Sequence, residues 1–266
     1  YPVATKPEGI EPLLAFRAED RCQIGAHIHP WVNPPYEEAV SGPNSFILNL
    51  APALQRSKLT ELQAAIAERL GTPPVSFKAG RYGLGRDTVS ILDDLGFEID
   101  WSISPAMDFR ESGGPSFVDF DANPFFLTRE LLEIPCTIDY VGWLGSLRPG
   151  VHRLVSRPLF EPLRMVGIMS RLGAVNRVML TPEGNSFEEM RSLVRSLFAR
   201  GCRVFTMSFH SPSADVGHTP YVRSQADLQN FLQAIERFCE FFMRDMEGVA
   251  ISPQSFRHQV ATMAES

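Results

Sequence analysis

The chain has 266 residues, of which 44% are hydrophobic and 21% charged, and its formal net charge is -6. This mix is typical of a globular protein with a full core and argues against disorder. Lysines and arginines are scattered rather than gathered into a stripe, so nucleic acid is not expected as a partner. The sequence contains no run of about 18 apolar residues, so no membrane span is expected.

The first half of the sequence predicts helices and strands in alternation. A helix is expected over residues 1–20, then an apolar strand in CQIGAHIHP and a loop over residues 32–53. The next segment, SKLTELQAAIAERLG, has apolar residues at helical spacing and ends at Gly71, which predicts an amphipathic helix with a glycine after its last turn. Strands are expected in VSFKAGR and FEIDWSISP, with a helix in DTVSILDDLG between them.

The second half continues the alternation after an irregular segment. Residues 105–130 show little periodicity and predict a long loop, of the kind that often contacts a ligand. Strands are expected in LLEIPCTIDYVG, NRVMLTP, CRVFTMSFH and GVAIS, and helices over residues 151–172, 186–201 and 224–246. Ser186 and Glu189 form a capping-box pattern at the start of the second of these helices.

Strands that alternate with helices predict one α/β domain over residues 1–266, with a parallel sheet and helical crossovers. About six strands are visible, whereas a closed parallel barrel needs about eight. Either the sheet is open, or the chain is a parallel (β/α) barrel that lacks its first one or two strands, and the start at Tyr1 rather than Met favours the second. The four cysteines lie far apart, which favours a reducing compartment such as the cytoplasm.

Reactive side chains are concentrated at the predicted carboxyl ends of strands, where parallel α/β folds carry their sites. His27 and His29 end the first strand, and their spacing places both imidazoles on one face, within reach of one ion such as zinc. Such a pair also occurs as two ordinary hydrogen-bonded histidines. The other strand-end candidates are Lys78, Arg81, Tyr82, Asp100, Trp101, Asp108 and His210. Dinucleotide, Walker and GxSxG motifs are absent from the sequence.

Four segments, taken in order, resemble the motifs of the NodB-type polysaccharide deacetylases: IGAHIHPW, FKAGRYGLG, WSISPAMDF and FHSPS. The resemblance spans nearly the whole chain. It implies a distorted barrel and an Asp-His-His site that holds zinc or another divalent metal. It also implies a carbohydrate partner and the hydrolytic removal of N- or O-acetyl groups from a polysaccharide or sugar conjugate.

The metal ligands and the general acid are assigned by the resemblance. His27 and His29 match the family's metal-binding histidines, although the family spaces them as His-x-x-x-His. His210 matches the histidine that acts as general acid, with Ser208 where the family has a leucine. The metal is expected to polarise the acetyl carbonyl and bind the attacking water.

The supporting residues depart from the family pattern. Lys78 stands where the family has the arginine that holds the catalytic carboxylate, and Arg81 is the alternative. Asp108 maps to the aspartate that supports the catalytic histidine, with Phe109 in place of a tryptophan and Asp100 as the alternative. Four aromatic residues are candidates for substrate binding, most of them as stacking surfaces for a sugar ring: Trp31, Tyr82, Trp101 and Phe109.

The family's first strand carries an Asp-Asp pair that supplies the general base and the carboxylate ligand, and nothing in this sequence matches that strand. The chain as given is therefore expected to bind metal poorly and to turn over slowly or not at all. Two other functions stay open. One is a carbohydrate-binding barrel without turnover, and the other is an amidase that acts on a small non-sugar amide.

Overall fold

The computed structural model describes residues 1–19, 22–141 and 176–265. The chain forms two compact units: unit 1 comprises Tyr1–Pro135 and Ile251–Ser266, and unit 2 comprises Cys136–Ala250. This division does not decide the prediction of one domain over residues 1–266, which stays a prediction. None of the described helices is long and apolar enough to cross a membrane.

Unit 1 combines a small sheet with five helices in its described residues. The strands are β1 (Ala26–Ile28), β2 (Ser76–Ala79), β3 (Ile99–Asp100), β4 (Phe125–Phe126) and β5 (Leu132–Glu133). The helices are α1 (Pro2–Thr5), α2 (Pro7–Ala18), α3 (Pro52–Leu70), α4 (Arg86–Asp94) and, after unit 2, α7 (Pro253–Glu265). Short 3-10 turns follow two strands, at Pro30–Val32 and Gly80–Tyr82.

The sheet of unit 1 has the order β1-β2-β3-β5-β4. Neighbouring strands among β1, β2, β3 and β5 are parallel, and β4 is antiparallel to β5. In the first ladder His27 is in register with Lys78, and Ile28 with Ala79. The carboxyl ends of the parallel strands therefore meet at one edge, which places His27 beside Lys78 there.

One face of this sheet is covered by the core. The buried residues Leu59, Leu62 and Ile66 of α3 cluster with Ile28 of β1 and Phe77 of β2. Burial of one such side chain stabilises the fold by about 1.5–3 kcal/mol, so this face of the sheet stays buried in the core. Side chains alternate along a strand, and the intervening residues project from the opposite face.

Helix α3 has recognisable ends. Pro52 occupies its first turn, where a missing N–H costs nothing, and Gly71 ends it in the left-handed conformation with φ 78°. The predicted helix is confirmed, and it starts about one turn earlier than its apolar face indicates. The low cost of proline at a first helical position explains this extension.

A fully buried lysine ties the loop after β1 to α3. Lys58 of α3 has no exposed surface, and its Nζ forms an ion pair with Glu38 at 2.9 Å. The same Nζ donates to three backbone carbonyls at 3.1, 2.7 and 2.6 Å, those of Pro30, Asn33 and Pro35. These contacts compensate the charge and fix the loop that carries Trp31.

Unit 2 contains a two-stranded antiparallel sheet and two long helices in its described residues. The elements are β6 (Ile138–Val141), β7 (Asn176–Met179), α5 (Phe187–Ala199) and α6 (Gln225–Glu240). A π-helical turn, Phe241–Asp245, extends α6. The predicted capping box is confirmed, because Ser186 Oγ accepts from the N–H of Glu189 while the Glu189 carboxylate accepts from the N–H of Ser186.

Several predicted strands are wrong or shorter than expected. The segment 131–142 is divided at Pro135, which has no N–H for a ladder, and β6 then pairs antiparallel with β7. Only Ile99–Asp100 forms a strand within FEIDWSISP. Residues 202–210 form no strand, since the Thr206 N–H bonds to the Thr137 hydroxyl rather than to a regular ladder. Residues 248–252 also form none, because the Gly248 N–H bonds back to the Phe242 carbonyl.

The described residues therefore form a mixed α/β structure with a parallel sheet and helices, as predicted at the level of fold class. They do not show a closed barrel, and the parallel direction predicted for the whole sheet holds only for four strands of unit 1. The helix predicted over residues 151–172 lies outside the described residues.

Candidate functional site

His27 and His29 meet at the carboxyl end of β1. Their Nε2 atoms lie 3.1 Å apart, and the ring centroids are 4.7 Å apart with perpendicular planes. His27 is exposed and His29 is half-buried. The two imidazoles therefore present their Nε2 atoms to the same point in space.

A backbone carbonyl fixes the orientation of His27. Its Nδ1 lies 2.9 Å from the carbonyl oxygen of Lys78. A carbonyl only accepts hydrogen bonds, so Nδ1 carries a proton and the neutral ring has its lone pair on Nε2. Metal-binding histidines are held in this way by a bond from the ring nitrogen that does not bind the metal.

The pair fits a metal ion in donor type and spacing. Zinc binds imidazole nitrogens at about 2.0–2.1 Å in tetrahedral geometry, which separates two ligand nitrogens by about 3.3 Å. The Nε2 atoms are 3.1 Å apart. Catalytic zinc sites use three protein ligands, however, and the described residues hold no group of three or more His, Cys, Asp or Glu that could bind a metal. Two imidazoles are fewer ligands than such a site uses.

The turn after β2 makes room for the histidine pair. A Cβ on Gly80 would lie 2.3 Å from the Ile28 carbonyl oxygen and 2.4 Å from Nδ1 of His29. The next two residues, Arg81 and Tyr82, adopt positive φ angles of 55° and 60°. Non-glycine residues in this region are strained, and such strain concentrates at functional sites.

Tyr82 turns towards a cation and a second ring. Its ring stacks on Phe109 with centroids 5.5 Å apart and an interplanar angle of 17°, and Lys78 Nζ lies 5.1 Å from its centroid. Lys78 Nζ also donates to the Trp101 carbonyl at 2.6 Å. Since Lys78 is in register with His27, this cluster borders the histidine pair.

Arg81 turns away from that cluster. Its guanidinium donates to Ser45 Oγ and lies 4.3 Å from the centre of the Phe46 ring. Trp31, whose ring centroid is 4.6 Å from that of His29, lines a cavity together with Arg81. The role predicted for Arg81, to hold a catalytic carboxylate, stays a prediction.

The two candidate aspartates lie in different surroundings. Asp108 is paired with Arg110 at 2.5 Å, and the hydrogen bonds from this guanidinium hold the pKa of Asp108 below its ordinary value. Asp100 is fully buried in β3, where its carboxylate accepts from the Ser102 hydroxyl at 2.7 Å. Asp100 therefore has a structural partner in the sheet, and the catalytic roles predicted for both residues stay predictions.

His210 of unit 2 is held by a buried carboxylate. Its Nδ1 lies 2.8 Å from Oε2 of Glu183, and its backbone N–H donates to Oε1 at 3.0 Å. Ser213 Oγ donates to the same Oε1 at 2.5 Å. The Glu183 side chain is 6% exposed and that of His210 is 77% exposed. The carboxylate fixes the proton on Nδ1 and orients an imidazole that is largely exposed to solvent.

Sequence reasoning missed Glu183. It follows β7 in the segment TPEGN, and the strand-end argument that selected the histidines applies to it equally. A chain separation of 27 residues between Glu183 and His210 hides the contact from any local pattern. The role of His210 as general acid stays a prediction.

No protein-family model matches the chain, and no curated protein matches it. The structure is similar to one titled "Crystal structure of putative polysaccharide deacetylase from Mycobacterium smegmatis", with a TM-score of 0.33 and 19% sequence identity. That match covers 52% of this chain and 37% of the other chain.

Proposed function

We propose that this chain belongs to a metal-dependent hydrolase that removes acetyl groups from a sugar, with His27 and His29 as two of the metal ligands. One observation carries the proposal: two imidazoles at the end of a parallel strand present Nε2 atoms 3.1 Å apart, and a carbonyl bond orients one of them. Two histidines that share an ion need such convergence. A direct hydrogen bond between the two rings has the same spacing, and the metal titration below distinguishes the two cases.

The remaining ligand in this proposal is a carboxylate outside the described residues. The resemblance implies a strand that carries such a group, and none of the described carboxylates joins the two histidines in a group of three. A bound divalent ion would polarise the acetyl carbonyl and acidify the attacking water.

His210 and Glu183 supply proton transfer in the proposed reaction. Water adds to the acetyl carbonyl carbon, and the bond from that carbon to the sugar nitrogen or oxygen breaks. Protonated His210 gives its Nε2 proton to the leaving amine or alkoxide, the attacking water gives up its proton to a base outside the described residues, and acetate is the second product. Glu183 keeps the ring oriented and stabilises the imidazolium while it holds that proton.

Metal binding tests the ligand assignment. We expect Co²⁺, titrated by calorimetry into the 266-residue chain, to bind weakly. His27→Ala and His29→Ala should each weaken this binding by about tenfold or more. His258→Ala, which removes an exposed histidine of α7, is the matched control and should bind as the wild type does. Equal binding by all four proteins would overturn the assignment.

Acetate release from chitotetraose tests the chemistry. We expect His210→Ala to lower kcat by about 100-fold or more, and Glu183→Gln by about tenfold or more. His218→Ala is the control, since His218 is exposed in the same loop and pairs with Asp215 at 3.2 Å. Unchanged kcat in His210→Ala would exclude His210 as the acid.

A carbohydrate-binding domain without turnover is the second candidate. It is favoured by the incomplete ligand set around His27 and His29. It predicts that chitotetraose binds with equal affinity in the presence and absence of a chelator and that no acetate appears. The hydrolase proposal predicts slow acetate release that the chelator abolishes.

A further inference from the structure

A cavity beside the histidine pair is suited to a single sugar ring. It has a volume of about 270 Å³, and Trp31, Glu38, Ser45 and Arg81 are among its lining residues. Small-molecule pockets usually measure about 300–1,000 Å³, so this one suits one ring rather than an extended chain. The Trp31 ring, which is 4.6 Å from the ring of His29, connects the cavity to the candidate metal ligands.

The net charge of the cavity lining is positive when the ion-pair partners of its charged residues are counted. Glu38 is paired with the buried Lys58 at 2.9 Å, and its side chain is only 6% exposed. The charge of this carboxylate is therefore compensated by Lys58. In the part of the chain that the structure describes, the contacts of Arg81 are a hydroxyl and an aromatic ring, and no carboxylate is among them. The guanidinium charge of Arg81 is therefore uncompensated at the cavity wall.

The geometry of Arg81 suits recognition of a carboxylate. Guanidinium has five N–H donors, and Ser45 Oγ accepts from one of its terminal nitrogens. Stacking on Phe46 at 4.3 Å holds the plane of the group, which favours a bidentate contact with a planar anion. The backbone is left-handed at Arg81 and Tyr82. The Arg81 side chain lines the cavity, whereas the Tyr82 ring stacks on Phe109.

We propose that this cavity is a subsite for an acidic sugar, whose ring stacks on Trp31 and whose carboxylate binds Arg81. The identification of the ligand as a sugar rests on the proposed function, whereas its anionic group is inferred from the Arg81 guanidinium, which has no carboxylate among its contacts in the described residues. The substrate is therefore an acetylated saccharide in which a carboxylate-bearing residue adjoins the acetylated one.

The test compares two tetrasaccharides of equal length, both N-acetylated. A hyaluronan tetrasaccharide carries carboxylates, and chitotetraose carries none. We expect calorimetry on the full chain at low salt to show about tenfold tighter binding of the hyaluronan tetrasaccharide, a preference that shrinks as salt is added. In Arg81→Gln the ratio of the two affinities should fall to about one, and Arg81→Lys should recover part of it.

Arg86→Gln is the control, because Arg86 is an exposed arginine at the start of α4, five residues along the same unit. It should keep the wild-type ratio, and circular dichroism should show that all variants are folded. A wild-type ratio of one, or an equal loss of both affinities in Arg81→Gln, overturns the subsite. Acetate release from chitotetraose reports on the proposed function separately. If acetate is released but the two affinities are equal, the proposed function stands and the subsite is wrong. If the ratio of affinities depends on Arg81 but no acetate is released, the subsite is supported and the proposed function is not.

Discussion

Replacing Gly80 by alanine tests how closely β1 and β2 are fitted at the site. The added Cβ would lie 2.3 Å from the Ile28 carbonyl oxygen and 2.4 Å from Nδ1 of His29, closer than Cβ atoms approach in real structures. Gly80 itself has no positive φ, so alanine can adopt its backbone conformation and the effect is purely steric. Rotation of the His29 ring relieves only the second contact, so the backbone of β1 and β2 must also separate at Ile28.

The expected cost is that of an overpacked interior, about 1–3 kcal/mol of unfolding free energy. For a protein of this size this lowers Tm by about 2–4 °C for each kcal/mol. Thermal unfolding followed by circular dichroism measures the first effect. Displacement of the His29 ring should also weaken Co²⁺ binding to the level of His29→Ala.

Gly42→Ala is the matched control for this substitution. A Cβ at Gly42 would meet nothing within 4 Å, and its φ of -54° suits alanine. We expect this variant to unfold and to bind Co²⁺ as the wild type does. If Gly80→Ala behaves like Gly42→Ala in both measurements, the close approach does not hold His29 in place and the reasoning is refuted.

Two further predictions concern charges near the site. Lys58→Met should destabilise unit 1 by about 3–5 kcal/mol, because it leaves the shielded Glu38 carboxylate without its cation, and the double variant with Glu38→Gln should recover part of the loss in urea unfolding. A double variant no more stable than Lys58→Met would contradict this. Arg110 lowers the pKa of Asp108 in the folded state. The pair therefore contributes to stability at pH values above the ordinary pKa of an aspartate, and this contribution is lost as the pH falls through the lowered pKa of Asp108. The stability difference between the wild type and Asp108→Asn should therefore shrink below about pH 4, and a constant difference from pH 7 to 3 would argue against the pair.

Sequence patterns predicted the elements whose signals are local. The apolar spacing of α3 with Gly71 at its end, the Ser186 capping box and the strand-end position of His27 all depend on residues a few positions apart. The convergence of His27 and His29 also follows from the two-residue period of a strand.

What the sequence could not show depends on distant contacts. The direction of β6 is set by its pairing with β7, and the period of a strand says nothing about its partner. Lys58 lies in a helix where a lysine is ordinarily exposed, and its burial depends on three carbonyls of a distant loop. The separation of Arg81 from Tyr82 depends on positive φ angles that neither residue type favours.

Unit 1 is discontinuous in sequence, since the chain leaves it at Pro135 and returns at Ile251. The returning helix α7 is joined to the earlier part by polar contacts. Arg257 donates to the Glu130 carbonyl at 2.8 Å and pairs with Glu98 at 3.5 Å, and Gln23 bonds to Gln254 at 2.8 Å. Closing a loop on the order of 100 residues costs about 4 kcal/mol of chain entropy, whereas a surface ion pair contributes about 1 kcal/mol or less. Helix α7 is therefore expected to dock late in folding and to open first, and its amide hydrogens should exchange with solvent well before those of α3.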